Sequence, residues 1–491
     1  MRPMSVLVLG ASLAMSVLAH AQAQQSILGY HGDPARSGHF LVPALTFDRA
    51  RSLRLDESFR AHVSGHVYSQ PLYWRAPGSD SGILIVATED NVVVAIDAAH
   101  GREIWSRSLG KPVPRSSLNC GNISPLGVTG TPVIDKAAET IYLAAALERP
   151  SGPRHLVFAL SLKDGAPRPG WPVDVMDAID GANPSFVARD QNQRGALVML
   201  AGSVYVPYGG HFGDCGQYHG FIVGISVSDP RTVRSWATRA RGGGIWAPGG
   251  ISSDGKSLFV TTGNTFAATT WSDGEAVVRL SPDLHRSTDP RDFFAPSDWQ
   301  TLDARDADLS GTNPLPLDFS GGSLILALGK DRKAYLLDRG NLGGIGGQLA
   351  VATVSERAIV TAPATYPAAD GIFVAFEAQG TSCPTQARGQ GVVALKIRAG
   401  SPPAMSTAWC AQLRGRGSPI VTTTDGRSNP IVWIVGAEGD NQLHGFRGDT
   451  GEALVTAPVQ AMTGLRHFQT LIAAEDRLYV AADETVYAFA L

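Results

Sequence analysis

Three carboxylates sit close together at Asp303, Asp306 and Asp308. Hard oxygen ligands at such spacing could hold Ca²⁺ together with backbone carbonyls, although the pattern is not that of an EF-hand loop. Turn-forming aspartates on a solvated loop give the same spelling. A second set, His211, Asp214 and His219, lies in GGHFGDCGQYHG. Two imidazoles and a carboxylate could bind a metal, and a glycine-rich loop pinned by Cys215 could equally be a structural lid. Trp246 follows Gly242-Gly243-Gly244-Ile245. Those glycines could let a flat ring approach the indole and stack on it; otherwise the indole fills an internal gap. His66, Arg466 and His467 could together bind an anion or serve as acid and base. A hydrogen-bonded pair of histidines is the alternative. The chain has no Gly-x-Ser-x-Gly elbow and no P-loop, which leaves no case for a serine hydrolase or a nucleotide enzyme. These residue types assign no catalytic residue on their own.

The elements that position these side chains repeat along the chain. The clearest copy runs from Ile83 to Leu109, ILIVATEDNVVVAIDAAHGREIWSRSL. It reads as an apolar strand, a turn, a second apolar strand, a turn over Asp97–Gly101, and a third strand carrying Trp105. Asp97 can accept backbone N–H bonds in that turn, and Gly101 can take a positive φ. Trp105 is expected to pack between repeats. Weaker copies follow at spacings of roughly 40 to 60 residues, the range of propeller blades. Six of them are preceded by a proline where an innermost strand begins: Pro71, Pro132, Pro248, Pro314, Pro363 and Pro419. A strand start tolerates a missing N–H. Two further copies, near Gly195 and Gln469, lack the proline. The last copy ends at Leu491 after a third strand, while Arg51–Val63 reads as a strand ahead of the first copy.

These observations predict an all-β fold: an eight-bladed β-propeller of four-stranded antiparallel blades, closed by the N-terminal strand on the outside of the last blade. Closure removes the sheet edges of an open array. In this register His66, Gln70, Thr131, Trp246, Asn313, Thr361, Ser418, His467 and Gln469 gather near one mouth of the central channel. Of these, His66, Gln70, Trp246, Asn313, His467 and Gln469, with Arg466, are the ligand candidates.

Composition agrees. Charged residues make up 17% of the chain, there are 55 glycines, and the formal charge is −3. Sparse charge with abundant glycine suits short strands and turns. No basic stripe points to nucleic acid. Residues 1–23 read as a signal peptide: Arg2, an apolar run from Met4 to Leu18, then small residues at Ala19, Ala21 and Ala23. The mature chain, 24–491, is expected to be one domain, periplasmic or secreted, without an integral membrane segment, and monomeric. Four cysteines, Cys120, Cys215, Cys383 and Cys410, suit two disulfides in an oxidising compartment. Three pairings are possible. Cys383–Cys410 within one repeat, with Cys120–Cys215 across loops, is the favoured one.

The copy Val94–Trp105, VAIDAAHGREIW, resembles the AxDxxTGxxxW repeat of pyrroloquinoline-quinone (PQQ) propeller proteins. YHGDPARSG (30–38), HVYSQPLY (66–73), CGNISPLGVTGTPVID (120–135), QNQRGALVML (191–200), GGGIWAPGG (242–250) and AYLLDRGNLGG (334–344) are similar to a subgroup of secreted bacterial PQQ-repeat-like proteins. The resemblance implies a propeller and an exported location. It leaves two functions open: a scaffold binding a protein or small-molecule ligand, or a PQQ-dependent dehydrogenase oxidising an alcohol or sugar. In the second, PQQ and Ca²⁺ would be the cofactors, Trp246 would stack on the quinone and Arg466 would polarise it. The chain departs from quinoprotein alcohol dehydrogenases in having no adjacent cysteines and no c-type haem motif.

Overall fold

The computed structural model describes residues 26–79, 81–320, 322–384, 390–455 and 461–491. The expected signal peptide, residues 1–23, lies outside the described residues. Eight sheets follow one another along the chain as the blades of a propeller. In the first, Leu72–Trp74 is innermost, followed outward by Ile83–Ala87, Val92–Asp97 and Glu103–Ser108, all antiparallel. The two middle strands are apolar on both faces because each blade is covered on both sides by its neighbours.

The blades are keyed together by aromatic side chains. Trp105 is 8% exposed and donates its indole N–H to the Leu162 carbonyl of the next blade at 3.0 Å. Trp409 does the same with Gly448 at 2.7 Å, and the Tyr479 hydroxyl reaches Ala98 across the seam between last and first blades at 2.7 Å. Each ring adds about 1.5–3 kcal/mol of apolar burial while its polar tip stays satisfied. The turn that starts this pattern has the expected form. Asp97 Oδ1 accepts from the amides of Ala99 and His100, and Gly101 takes φ +78°.

The ring closes as its pattern predicts. Arg54–Leu55 and Ala61–His62 pair antiparallel with Thr485–Ala490, the third strand of the last blade. Phe59, Val63, Tyr479, Val486 and Phe489 share one core across this closure. Both favoured disulfides form, Cys120–Cys215 and Cys383–Cys410.

A second use of the N-terminal segment was not foreseen. His39–Leu41 lies parallel to Ile420–Thr423, the inner strand of the seventh blade. Upstream of it, residues 27–38 thread the channel and bond to inner strands around the ring. Ile27 pairs with Tyr73, the Leu28 carbonyl takes the Ile134 amide, Pro34 takes Ser253, and Ser37 takes Thr365. Arg36 is 1% exposed at the centre. Its guanidinium donates to the carbonyls of Tyr30, Leu197 and Ile251 at 3.1, 2.7 and 3.0 Å. Nε, Nη1 and Nη2 each meet a different carbonyl, a spread that the planar five-donor guanidinium spans. The segment is therefore a plug, and the channel is not a through-passage.

Candidate functional site

One mouth of the channel keeps a cavity of about 670 Å³. Two kinds of segment line it. The connections entering each inner strand bring Arg194, Trp246, Asp306, Asp308, Arg357, Arg416, His467 and Phe468. The hairpins between the second and third strands bring the loop 210–218, Asn264, Lys330 and Glu438. Below it, Tyr30 of the plug, Tyr68, Thr131 and Pro248 border a narrow space that shares Arg194, His467 and Phe468 with the cavity.

Trp246 forms one wall. Its indole N–H donates to Asp308 Oδ2 at 3.0 Å. Asp308 is 3% exposed, accepts the Asn264 amide at 3.1 Å, and meets the Lys330 ammonium at 2.7 Å. Burial pushes the Asp308 carboxyl up, and the Lys330 charge opposes that rise. Glu275, fully buried behind it, accepts the Leu309 amide at 2.7 Å. Burial first, then the Asp308 charge, holds Glu275 well above the usual carboxyl range. The corner thus contains a buried Asp308 carboxyl braced by an ammonium, an indole and an amide.

The glycines before Trp246 act differently from the expectation. Gly242 has φ +92° and faces the Asn264 carbonyl, where a Cβ would come within 2.4 Å. They bring neighbouring loops into backbone contact, with Gly243 donating to Asn264 at 2.7 Å, and do not open a slot for a ring. The ring face of Trp246 instead looks onto Lys330, whose Nζ is 5.2 Å from the ring centre.

The opposite side of the cavity is basic. Arg194 lies over the Phe468 ring at 5.5 Å. Its Nε is buried without a hydrogen-bond partner. Arg357 pairs with the buried Glu377, yet its own Nε is also buried and unpartnered. His467 is held by Glu438 at 2.8 Å and packs edge-on against Tyr68. Burial lowers its pKa, and the charges of Arg194 and Arg416 add to that.

Of the ligand candidates read from the sequence, Trp246 and His467 line the cavity. Gln70, Asn313 and Gln469 are buried in the channel wall. Gln70 Oε1 accepts the His31 amide and its Nε2 reaches Gly29, holding the plug. Asn313 donates to Ser252 and Pro314, and Gln469 to Ala481. His66 and Arg466 both bind Asp483. His66 therefore does not face His467; each histidine has its own carboxylate.

The three aspartates do not converge. Asp303 accepts the Thr265 amide and hydroxyl, both at 2.7 Å, whereas Asp306 and Asp308 share Lys330. An ammonium occupies the place between them that a calcium ion would need, so this triad does not fit Ca²⁺. His211, Asp214 and His219 also separate: Asp214 accepts from Tyr218, and His219 bonds the Thr238 carbonyl. No cluster of three or more His, Cys, Asp or Glu fit for a metal occurs among the described residues. The loop carrying them is a fixed wall. Arg241 donates to the carbonyls of Asp214 and Gly216, Asp190 accepts the Gln217 amide, and Cys215 is bonded to Cys120. At its tip Phe212 is 71% exposed beside the cavity entrance.

Arg194, Lys330, Arg357 and Arg416 were missed by the sequence reading. The proline marks located the connections into the inner strands, but the hairpins on the same face carry no such mark. Arg194 lies within the block QNQRGALVML (191–200), whose spelling does not mark it as a cavity cation.

The comparisons bear on the fold. Residues 54–166 match the family model described as outer membrane protein assembly factor BamB, a span that takes in the closing strand, the first blade and the three inner strands of the second. No curated protein matches the chain in sequence. Among solved structures, the quinohemoprotein alcohol dehydrogenase from Comamonas testosteroni is 16% identical at a TM-score of 0.61, over 94% of this chain and 80% of that one. That from Pseudomonas putida HK5 is 13% identical at 0.64, over 95% and 80%. A europium-containing methanol dehydrogenase is 12% identical at 0.63, over 95% and 98%. At these identities the likeness is one of fold, and function must come from the site. The eight blades and these matches together show the fold: the chain is an eight-bladed β-propeller, similar in architecture to the quinoprotein dehydrogenases.

Proposed function

We propose that this propeller is an exported ligand-binding protein that holds a small molecule in the mouth cavity. One observation carries the reading: the plug, held by Arg36 and by backbone bonds to the blades, fills the channel, while the mouth beyond it keeps about 670 Å³ bordered by aromatic rings and cations. Concave sites of this size with a few convergent polar groups are where small ligands bind. Two disulfides support an oxidising compartment. The test is a thermal-shift screen of small anionic and neutral compounds against the mature chain and its Trp246→Phe variant. Compounds that raise the wild-type midpoint more than the variant's support the cavity. A screen in which no compound distinguishes the two rejects it.

A second reading, PQQ-dependent oxidation of an alcohol or sugar, is favoured by the Trp246–Asp308–Lys330 corner. A planar tricarboxylate suits the residues present. Trp246 offers a ring, and Lys330, Arg194, Arg357 and Arg416 offer charges for carboxylates. When bound, the quinone would supply a two-electron acceptor. Asp308, the buried carboxylate at the ring, would take the proton of a substrate hydroxyl, with Lys330 holding it ionised until then. Arg466, bound to Asp483 away from the cavity, has no part in this. The test adds PQQ with and without Ca²⁺, following tryptophan quenching and dye reduction. Asp308→Asn should keep the quenching and lose turnover. Absence of both in the wild type removes this reading and leaves the first.

A further inference from the structure

The cavity has two chemically different halves. In the corner formed by Trp246, Asn264, Asp308 and Lys330 the cation is already answered, because Lys330 pairs with both Asp306 and Asp308. The other half differs. Arg194, Arg357 and Arg416 enter it from three blades, and among the described residues Glu377 is the one carboxylate bonded to any of them. Arg194 has the Phe468 ring beneath it, and Arg416 is exposed on the cavity wall with no side-chain ion pair among the described residues. The charges are near enough to feel one another: burial first and then the Arg416 charge lower the Arg357 pKa, and burial first, with Arg194 and Arg416 adding to it against Glu438, lowers that of His467.

A chain gains nothing by gathering like charges in a half-buried cavity. Repulsion and desolvation both oppose it. The Nε atoms of Arg194 and Arg357 are buried with no acceptor, a loss of the size of an unmade hydrogen bond each. An oxyanion placed between the three guanidinium groups removes repulsion and supplies acceptors together. Guanidinium forks match carboxylates in a bidentate manner. Phe468 under Arg194 and Phe212 at the entrance give such an anion an apolar body to carry.

We infer that the Arg194–Arg357–Arg416 half of the cavity is a carboxylate subsite, so that the ligand is a small organic acid with an aromatic or apolar body. This rests on the ligand-binding reading above and narrows it to a substrate class. Nothing in it requires a metal ion.

The test uses the mature disulfide-bonded chain and a matched set of probes: isophthalate, its neutral diamide isophthalamide, and inorganic phosphate. Binding is followed by calorimetry and by tryptophan fluorescence. Isophthalate should bind at least about tenfold more tightly than the diamide, and Arg416→Gln should remove about that factor. Arg416 is exposed, so this variant should fold like the wild type, which its circular dichroism and melting midpoint would verify. Arg416→Lys should recover only part of the loss, because an ammonium lacks the fork. Equal binding of the diacid and the diamide would overturn the carboxylate assignment while leaving the cavity reading intact. Phosphate binding more tightly than isophthalate would overturn it in favour of a phosphoryl ligand. Failure of all three probes, together with failure of the thermal-shift screen, would overturn both readings.

Discussion

The Lys330 ammonium lies 2.7 Å from the Asp308 carboxylate and 5.2 Å from the centre of the Trp246 ring. Trp246 itself donates to the same carboxylate. Asp308 and Trp246 precede the inner strands of adjacent blades, and Lys330 sits on the hairpin of Asp308's own blade. A single carboxylate thus fixes the relative position of two blades at the cavity wall.

Removing the ammonium should therefore be costly. Lys330→Met leaves a carboxylate that is 3% exposed without its counter-charge. Loss of one partner of a buried pair costs about 3–5 kcal/mol, and the partial exposure of Lys330 puts the expected loss near the lower end. Adding Asp308→Asn to Lys330→Met should restore most of it, because the uncompensated charge disappears. Melting midpoints of the wild type, Lys330→Met and the double variant at one scan rate check this. A single variant as stable as the wild type would reject the pairing.

Glu89 makes stability depend on pH. It is fully buried, its Oε2 accepts the Gly127 amide at 2.6 Å, and burial pushes its pKa up to about 7. A carboxyl raised on folding binds more protons in the native than in the unfolded state. Its stabilising contribution is complete below the unfolded value of about 4.5 and is lost as pH rises through about 7. Two and a half units correspond to about 3 kcal/mol. Glu89→Gln should therefore gain stability on the wild type between pH 5 and pH 8 by about that amount. A stability difference that does not change over this range would reject the buried-acid description.

The plug should be held chiefly by Arg36. Arg36→Met would leave three buried carbonyls, those of Tyr30, Leu197 and Ile251, without their donor. At about 1–3 kcal/mol for each unsatisfied group, the loss should be several kcal/mol. Arg36→Lys should rescue poorly, since a lysine cannot reach three divergent acceptors from one nitrogen. Limited proteolysis should cut residues 26–45 faster in both variants. Equal protection in wild type and Arg36→Met would show that strand pairing at His39–Leu41 alone retains the segment.

How much of this was legible in the sequence depends on the kind of signal. Blade number, closure and the two disulfides follow from local rules: strand alternation, the Asp97–Gly101 turn, and prolines at strand starts. The plug was not legible, because residues 27–38 form almost no regular structure and take their hydrogen bonds from many blades in turn. The block Tyr30–Gly38 stood out in the resemblance, but nothing in its spelling says that Arg36 points inward. At the site, Trp246 and His467 were found from their place before inner strands. Gln70, Asn313 and Gln469 share that place, yet their amides turn into the wall, where backbone groups need partners. Asp303, Asp306 and Asp308 are near in sequence, but a seven-residue helix, Trp299–Arg305, ends between them and sends Asp303 elsewhere.

The two disulfides should differ in what their loss does. Cys120–Cys215 closes a separation of 95 residues and Cys383–Cys410 one of 27. Loop-closure entropy gives about 5 and about 3.5 kcal/mol, so the serine pair at 120 and 215 should melt lower. It should also act on the site. Cys215 anchors the wall that ends in Phe212, and without the bond residues 211–217 are left to hydrogen bonds such as those of Arg241, Asp190 and Tyr218. Amide exchange should then rise in 211–217 with no change in the blade strands. Exchange that rises uniformly would mean the bond serves the ring as a whole. A local rise accompanied by weaker ligand binding would mark the loop as a wall that must be rigid to work.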